Sequence, residues 1–241
     1  MTQRVRPHLR VLVIDIGGTH VKMAVTGATE SRRFKSGKHL VPDVLVREVK
    51  RRSADWRYDV ITLGYPGAVT GEHPRAEPGN LGPGWVGFDF ADAFDTPVRI
   101  VNDAALQALG SYDGGRMLFL GLGTGLGSAI VSEHVILPIE LGCLPYTRRE
   151  TLAERLGRAG LQRHGPRRWQ RSIAQVVPKL KEAFGADYVT LGGGNAKHVD
   201  PMPEGATRGG NDDAFAGGFR LWQDLVMPHD RPAPAIWRVI S

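Results

Sequence analysis

The sequence has one cysteine, Cys143, which excludes an intrachain disulfide and a zinc site built from thiolates. A reducing cytoplasm is the simplest setting for such a chain. No apolar run approaches the roughly 20 residues that cross a bilayer. The apolar stretch after the basic N-terminus is too short for a signal peptide, so no membrane partner is expected. No nucleic-acid-binding motif is present either. Acids are the scarcer charge, with 25 Asp and Glu against 31 Lys and Arg.

What is plentiful is glycine, 31 of 241 residues, much of it in short clusters of the kind that wrap ligands. A hydrophobic content of 41% supports a real core, and the length suits two lobes around a cleft or one large domain. The positive charge is concentrated. Within residues 148–181, ten Lys and Arg face only Glu150 and Glu154, a net +8 against +6 for the whole chain. Such a face is either a solvated surface or a docking surface for a polyanion. Trp169 is its only aromatic, which argues against DNA or RNA.

The most informative stretch is Val11-Leu12-Val13-Ile14-Asp15-Ile16-Gly17-Gly18-Thr19, followed by alternating Val21, Met23 and Val25. This pattern predicts a buried strand, a Gly-Gly turn and a second strand. Glycines there let backbone N–H groups approach an anion. Asp15 can hold a hydrated metal, and Thr19 can donate to a phosphate. The same logic returns at Met117-Leu118-Phe119-Leu120-Gly121 and Gly123-Thr124-Gly125-Leu126-Gly127, an internal echo expected of a duplicated fold. Glycine weakens a strand interior, so alternate glycines are hard to explain by packing.

Between these turns, residues 41–52 read as a helix and residues 58–64 as a strand running into Tyr65-Pro66-Gly67. Residues 71–90 form a long loop holding Asn80 and Trp85, where the Trp either walls a sugar site or anchors the loop. Residues 97–101 are a strand. Asn102 and Asp103 then either cap the next helix or present a carboxylate that can take a proton from a hydroxyl. Later, Glu140 and Cys143 share a loop. Residues 149–184 are mostly helical, with breaks expected near Gly160, Gly165-Pro166 and Pro178. A strand leads into Gly192-Gly193-Gly194-Asn195. A last helix over 212–225 carries Phe215, Phe219 and Trp222 near one face, and 227–241 reads as a docked tail.

Taken in order, these motifs resemble those of the actin-like ATPase fold (an α/β, duplicated ribonuclease H-like fold with two lobes around a cleft) shared by sugar kinases, actin and heat-shock ATPases. Within it the chain looks like the ROK group, closest to the polyphosphate/ATP glucokinase branch. The resemblance implies a small lobe of 1–104 with 225–241 and a large lobe of 105–224. It implies that Asp15, Gly17, Gly18, Thr19 and Lys22 form a first phosphate-binding turn, with Asp15 on the metal side. Gly123, Thr124, Gly125 and Gly127 match the second such turn, and Gly193, Gly194 and Asn195 a nucleotide-side loop. Asp103 matches the general base for the sugar 6-hydroxyl. Gly67, Asn80, Asn102, Glu140 and Cys143 fall on the sugar side. Implied with them are a hexose substrate, ATP or polyphosphate with Mg2+, no structural zinc, and a cytoplasmic homodimer. Phosphoryl transfer needs these parts: donor phosphates in line, a metal to spread charge, and a carboxylate for the proton.

Three departures carry information. Where the family has Glu-x-Gly-His, this chain reads Glu140-Leu141-Gly142-Cys143, and a thiol is a weak hydrogen-bond partner. The multi-Cys zinc motif of many ROK members is missing, as in the polyphosphate branch. No helix-turn-helix region precedes Val11, which disfavours a repressor. The competing readings are a kinase of another hexose, an amino sugar or a pantothenate-like alcohol, and a non-catalytic sugar or nucleotide sensor.

Overall fold

The computed structural model describes residues 9–210, 212–222 and 237–240. The chain divides into two compact units at Val101/Asn102.

In the first unit, β1 (Val11–Ile16) pairs antiparallel with β2 (His20–Val25), which pairs antiparallel with β3 (Arg32–Lys35). The predicted hairpin is therefore present, with Asp15 opposite Lys22. Helix α1 (Pro42–Arg52) starts with proline, carries Asp43 in its first turn and ends on Lys50, Arg51 and Arg52, all matched to the helix dipole. Its Leu45, Val46 and Val49 are buried. Strand β4 (Val60–Tyr65) runs parallel to β1, and every residue in it is buried, as in a strand covered on both faces. A two-stranded ribbon, β5 (Val69–Thr70) with β6 (His73–Pro74), and a short helix α2 (Phe90–Phe94) precede β7 (Val98–Asn102). The sheet order is β3-β2-β1-β4-β7.

The second unit opens with α3 (Asp103–Ser111). Strands β8 (Arg116–Leu122), β9 (Leu126–Ser132) and β10 (Val135–Ile139) form an antiparallel meander. A small ribbon follows, β11 (Pro145–Thr147) with β12 (Glu150–Thr151), then α4 (Leu152–Leu156), which starts on a capping box between Thr151 and Glu154. Helix α5 (Arg158–Ala183) leads to β13 (Tyr188–Gly192), which is parallel to β8 and to β14 (Ala206–Arg208). Helix α6 (Asp213–Arg220) follows, and β15 (Arg238–Val239) pairs with β10. The sheet order is β14-β13-β8-β9-β10-β15. Read from β10, the run β10-β9-β8-β13-β14 repeats the first unit's β3-β2-β1-β4-β7, so the echo seen in the sequence extends to strand order.

Several expectations shift. Residues 158–183 are interrupted once, at Gly165 (φ 73°, ψ 164°), where Pro166 starts a new helical segment. Gly160 and Pro178 stay within the helix: Gly160 because its missing side chain leaves room for the Arg155 carbonyl, Pro178 on the exposed side. The described part of the tail, Trp237 to Ile240, carries β15 of the second sheet, although the resemblance groups 225–241 with the first lobe. Helix α6 ends at Arg220 with Leu221 and Trp222 in a turn, short of the expected end at Leu225, and the tail from 223 to 236 lies outside the described residues.

Candidate active site

In the first unit the β1–β2 turn is closed by Gly17 N–H donating to the His20 carbonyl at 3.0 Å. Ser36 fastens it from the neighbouring strand: its hydroxyl donates to the Gly17 carbonyl (2.6 Å) and its N–H to the Thr19 carbonyl (3.1 Å). Gly18 and Thr19 are exposed at the tip. Asn80 lies against this tip, since a Cβ added to Gly18 would sit 3.6 Å from the Asn80 amide nitrogen. The structure thus joins an expected phosphate turn to an expected sugar contact. Asp15 is half-buried, and desolvation raises its carboxyl above the usual range while Lys22, on the paired strand, opposes that rise.

The Asn80 loop is anchored by aromatic packing. Trp85 is fully buried, donates its indole N–H to the Gly82 carbonyl at 2.7 Å, and packs on Tyr65 and Phe90. Burying such a side chain contributes about 1.5–3 kcal/mol. Trp85 is therefore a loop anchor and offers no face to a sugar. Glu77 receives the backbone N–H groups of Trp85 and Val86, and Tyr65 donates its hydroxyl to the Ala76 carbonyl. Gly67 lies over the Tyr65 ring, where a Cβ would come within 2.9 Å of Cε1.

The second unit brings the remaining expected residues together around the β8–β9 turn. Gly123 N–H donates within the turn, to the carbonyls of Gly121 (3.0 Å) and Gly125 (3.2 Å). The Gly123 carbonyl accepts from the Asn195 amide (2.9 Å) and from Arg158 N–H at the start of α5 (3.0 Å). Asn195 N–H adds a bond to the Leu122 carbonyl at 2.9 Å. Gly193, at φ 77°, leaves no room for a side chain beside the Leu122 backbone. Thr124 is exposed, while Gly123 and Gly194 have open space at their Cβ positions. Gly127 is different. A Cβ there would lie 2.9 Å from the Cβ of Ala104, so this glycine is needed for packing against α3.

That contact sets Ala104, the chain neighbour of Asp103 in the first turn of α3, against β9 just after the glycine turn. One Asp103 carboxylate oxygen accepts from Ala104 N–H at 2.8 Å. Asn102 caps the helix, its side-chain oxygen accepting from Ala104 N–H (3.0 Å) and Ala105 N–H (3.2 Å). The Glu140–Cys143 loop is tied to the same turn. Ser128 on β9 donates to the Ile139 carbonyl (2.6 Å) and accepts from Leu141 N–H (3.1 Å). A Cβ on Gly142 would lie 3.0 Å from the Leu126 carbonyl. Residues Leu141–Cys143 form a 3-10 turn, and Glu140 and Cys143 are both exposed. The Cys143 thiol donates to the Glu140 carbonyl at 2.9 Å.

Sequence reasoning missed Ser36, Ser128 and Arg158, which hold the turns rather than face a ligand. Ser and Arg occur everywhere, and nothing local marks these. Among the described residues no group of three or more His, Cys, Asp or Glu gathers.

No family model matches the chain. It is 25% identical over 221 residues to polyphosphate glucokinase of Mycobacterium tuberculosis, covering 80% of this chain and 82% of the mycobacterial one. Among solved structures it is similar to the inorganic polyphosphate/ATP-glucomannokinase from Arthrobacter sp. strain KM, with TM-score 0.73, 20% identity, and 88% and 97% of the two chains covered. The ROK family glucokinase from Streptomyces griseus, solved with glucose and AMPPNP, gives TM-score 0.70 at 15% identity, covering 88% of this chain and 98% of that one. The chain thus has the actin-like fold of the ROK sugar kinases, and its matched sequence relative is a polyphosphate glucokinase.

Proposed function

We propose that this protein is a hexose kinase that transfers a phosphoryl group from polyphosphate or ATP to the 6-hydroxyl of glucose or a related hexose. The observation that carries this reading is the second unit's arrangement: a glycine turn locked by Asn195 and Arg158, with Asp103 held beside it through the Gly127–Ala104 contact. The turn binds donor phosphates through backbone N–H groups. Asp103 accepts the proton of the sugar hydroxyl as the oxygen attacks phosphorus. A positioned base of this kind contributes about 10²–10⁴-fold. Glu140 accepts hydrogen bonds from other hydroxyls. In the first unit, Gly18 and Thr19 serve as the matching phosphate turn and Asn80 as a sugar ligand.

Asp15 fits Mg2+. It is a hard oxygen donor whose burial already disfavours an uncompensated charge, and a cation with its waters offsets that penalty. When bound, the metal spreads the charge of the donor phosphates. A cytoplasmic homodimer belongs to the same reading.

The test is an assay matrix of purified protein with several hexoses, each with ATP and with polyphosphate, and Asp103→Asn as control. Turnover with at least one pair, lost in Asp103→Asn while sugar binding persists, supports the proposal. Sugar binding without turnover under any pair would instead make the protein a sensor.

A further inference from the structure

The strongest unassigned feature lies in the basic stretch. A recess of about 250 Å³ is lined by Tyr146, Arg155, Arg168, Arg171, Ser172 and Gln175. Arg168, Arg171, Ser172 and Gln175 are spaced so as to share one face of the α5 segment that begins at Pro166. Arg155 comes from α4 and Tyr146 from β11. The recess is built in advance of any ligand. Arg155 Nε donates to the Ser172 hydroxyl at 2.8 Å, its guanidinium stacks 4.8 Å from the Tyr146 ring centroid, and Glu150 lies 3.4 Å away. Ser172 is held in turn by donating to the Arg168 carbonyl.

The charge balance in this recess is one-sided. Glu150 is already shared among Arg155, Arg163 and His164. Among the described residues no carboxylate lies within ion-pair distance of Arg168 or Arg171. Arg168 sits in the first turn of its helical segment, where the backbone dipole already disfavours a cation. Planar guanidinium forks, with the Gln175 amide in the same lining, suit the oxygens of phosphate, while the buried Ser172 hydroxyl holds Arg155 and the helix in place.

We propose that this recess is a subsite for a distal stretch of an inorganic polyphosphate chain, separate from the glycine turn where transfer occurs. The assignment rests on the hexose-kinase reading for its role, but not for the binding itself. The recess and the turn share a frame: Gly157, two residues after Arg155, packs where a Cβ would come within 2.7 Å of the Thr124 carbonyl. Trp169, next to Arg168, donates to the Leu156 carbonyl at 2.9 Å. Long chains engage both places, whereas ATP engages only the turn.

The test compares Arg168→Ala/Arg171→Ala, Gln175→Glu, and a control pair, Lys50→Ala/Lys179→Ala, that removes two charges elsewhere. Equilibrium binding is measured with long-chain polyphosphate, tripolyphosphate and single-stranded DNA. The first two variants should weaken long-chain binding about tenfold or more, steeply with salt, and the control should stay near wild type. KM for ATP should not move. If wild type binds polyphosphate but phosphorylates no sugar, the kinase reading fails and the subsite stands. Equal long-chain affinity in wild type and both recess variants overturns the subsite whatever the activity. DNA binding as tight as polyphosphate binding, and equally sensitive to the variants, also overturns it.

Discussion

Gly127→Ala tests the claim that the turn sets the position of Asp103. The new methyl would lie 2.9 Å from the Ala104 Cβ, a separation that two methyl carbons do not adopt. Neither group has a rotamer to escape into, because each Cβ is fixed by its backbone. Relief therefore requires α3 to move at its first turn, by roughly an ångström to reach normal carbon contact at about 3.5–4.0 Å. Two effects on stability oppose each other. Replacing glycine inside β9 recovers about 0.5–1 kcal/mol, while overpacking costs about 1–3 kcal/mol. The second is larger, so a net loss of about 1–2 kcal/mol is expected in urea unfolding. Activity should fall further than stability, since a 1 Å misplacement of a reacting group costs up to about 10²-fold. Steady-state kinetics should show this in kcat more than in KM for the sugar. Ala104→Gly removes the opposing methyl, so Gly127→Ala/Ala104→Gly should recover much of the lost kcat, a coupling measurable as a double-mutant cycle. Full activity in Gly127→Ala, or no rescue in the double variant, refutes the mechanical link.

Three further outcomes follow from individual sites. Asp15 has its carboxyl raised by burial, so its ionisation opposes folding above the usual value of 3.8. Stability from this group is present below that pH and lost as pH rises toward the folded-state value, so Asp15→Asn should raise Tm at neutral pH and leave it unchanged at pH 3, while abolishing turnover. Cys143→His should raise kcat/KM for glucose, because imidazole is a stronger hydrogen-bond partner than a thiol; an unchanged or lower value would show that the thiol is not what limits sugar binding. Gly217→Ala should destabilise by about 1–3 kcal/mol or more, since the added methyl would overlap the Leu106 carbonyl where α6 crosses α3; an unchanged denaturation midpoint would contradict that crossing.

How far the sequence carried the structure depended on whether its signals were local. The β1–β2 and β8–β9 hairpins were readable because alternating apolar residues bracket glycine turns, and both hairpins are present. The resemblance to ROK kinases agrees with the fold and with the mycobacterial relative. Trp85 was ambiguous, because whether an indole faces a core or a cleft depends on Tyr65 and Phe90, which sequence spacing does not locate. The break expected near Gly160 falls at Gly157, between α4 and α5, and Gly160 itself stays helical because the chain crossing that break brings the Arg155 carbonyl where a side chain would sit. Gly127 was grouped with the ligand-facing glycines for its spacing, yet its absent side chain serves α3. The serines that fix the two turns act across strands, and no residue pattern announces them.

The doubly held carbonyl of Gly123 has a consequence for the amide that follows it. A trans peptide unit is planar, with its C=O and N–H pointing in opposite directions. Because Asn195 and Arg158 both hold the oxygen, this peptide plane does not flip without breaking two hydrogen bonds. The N–H of Thr124 is thereby aimed away from those two partners before any phosphate arrives. On the proposed function, a donor phosphate would meet a dipole whose orientation folding has already settled, so little ordering entropy would be lost on binding.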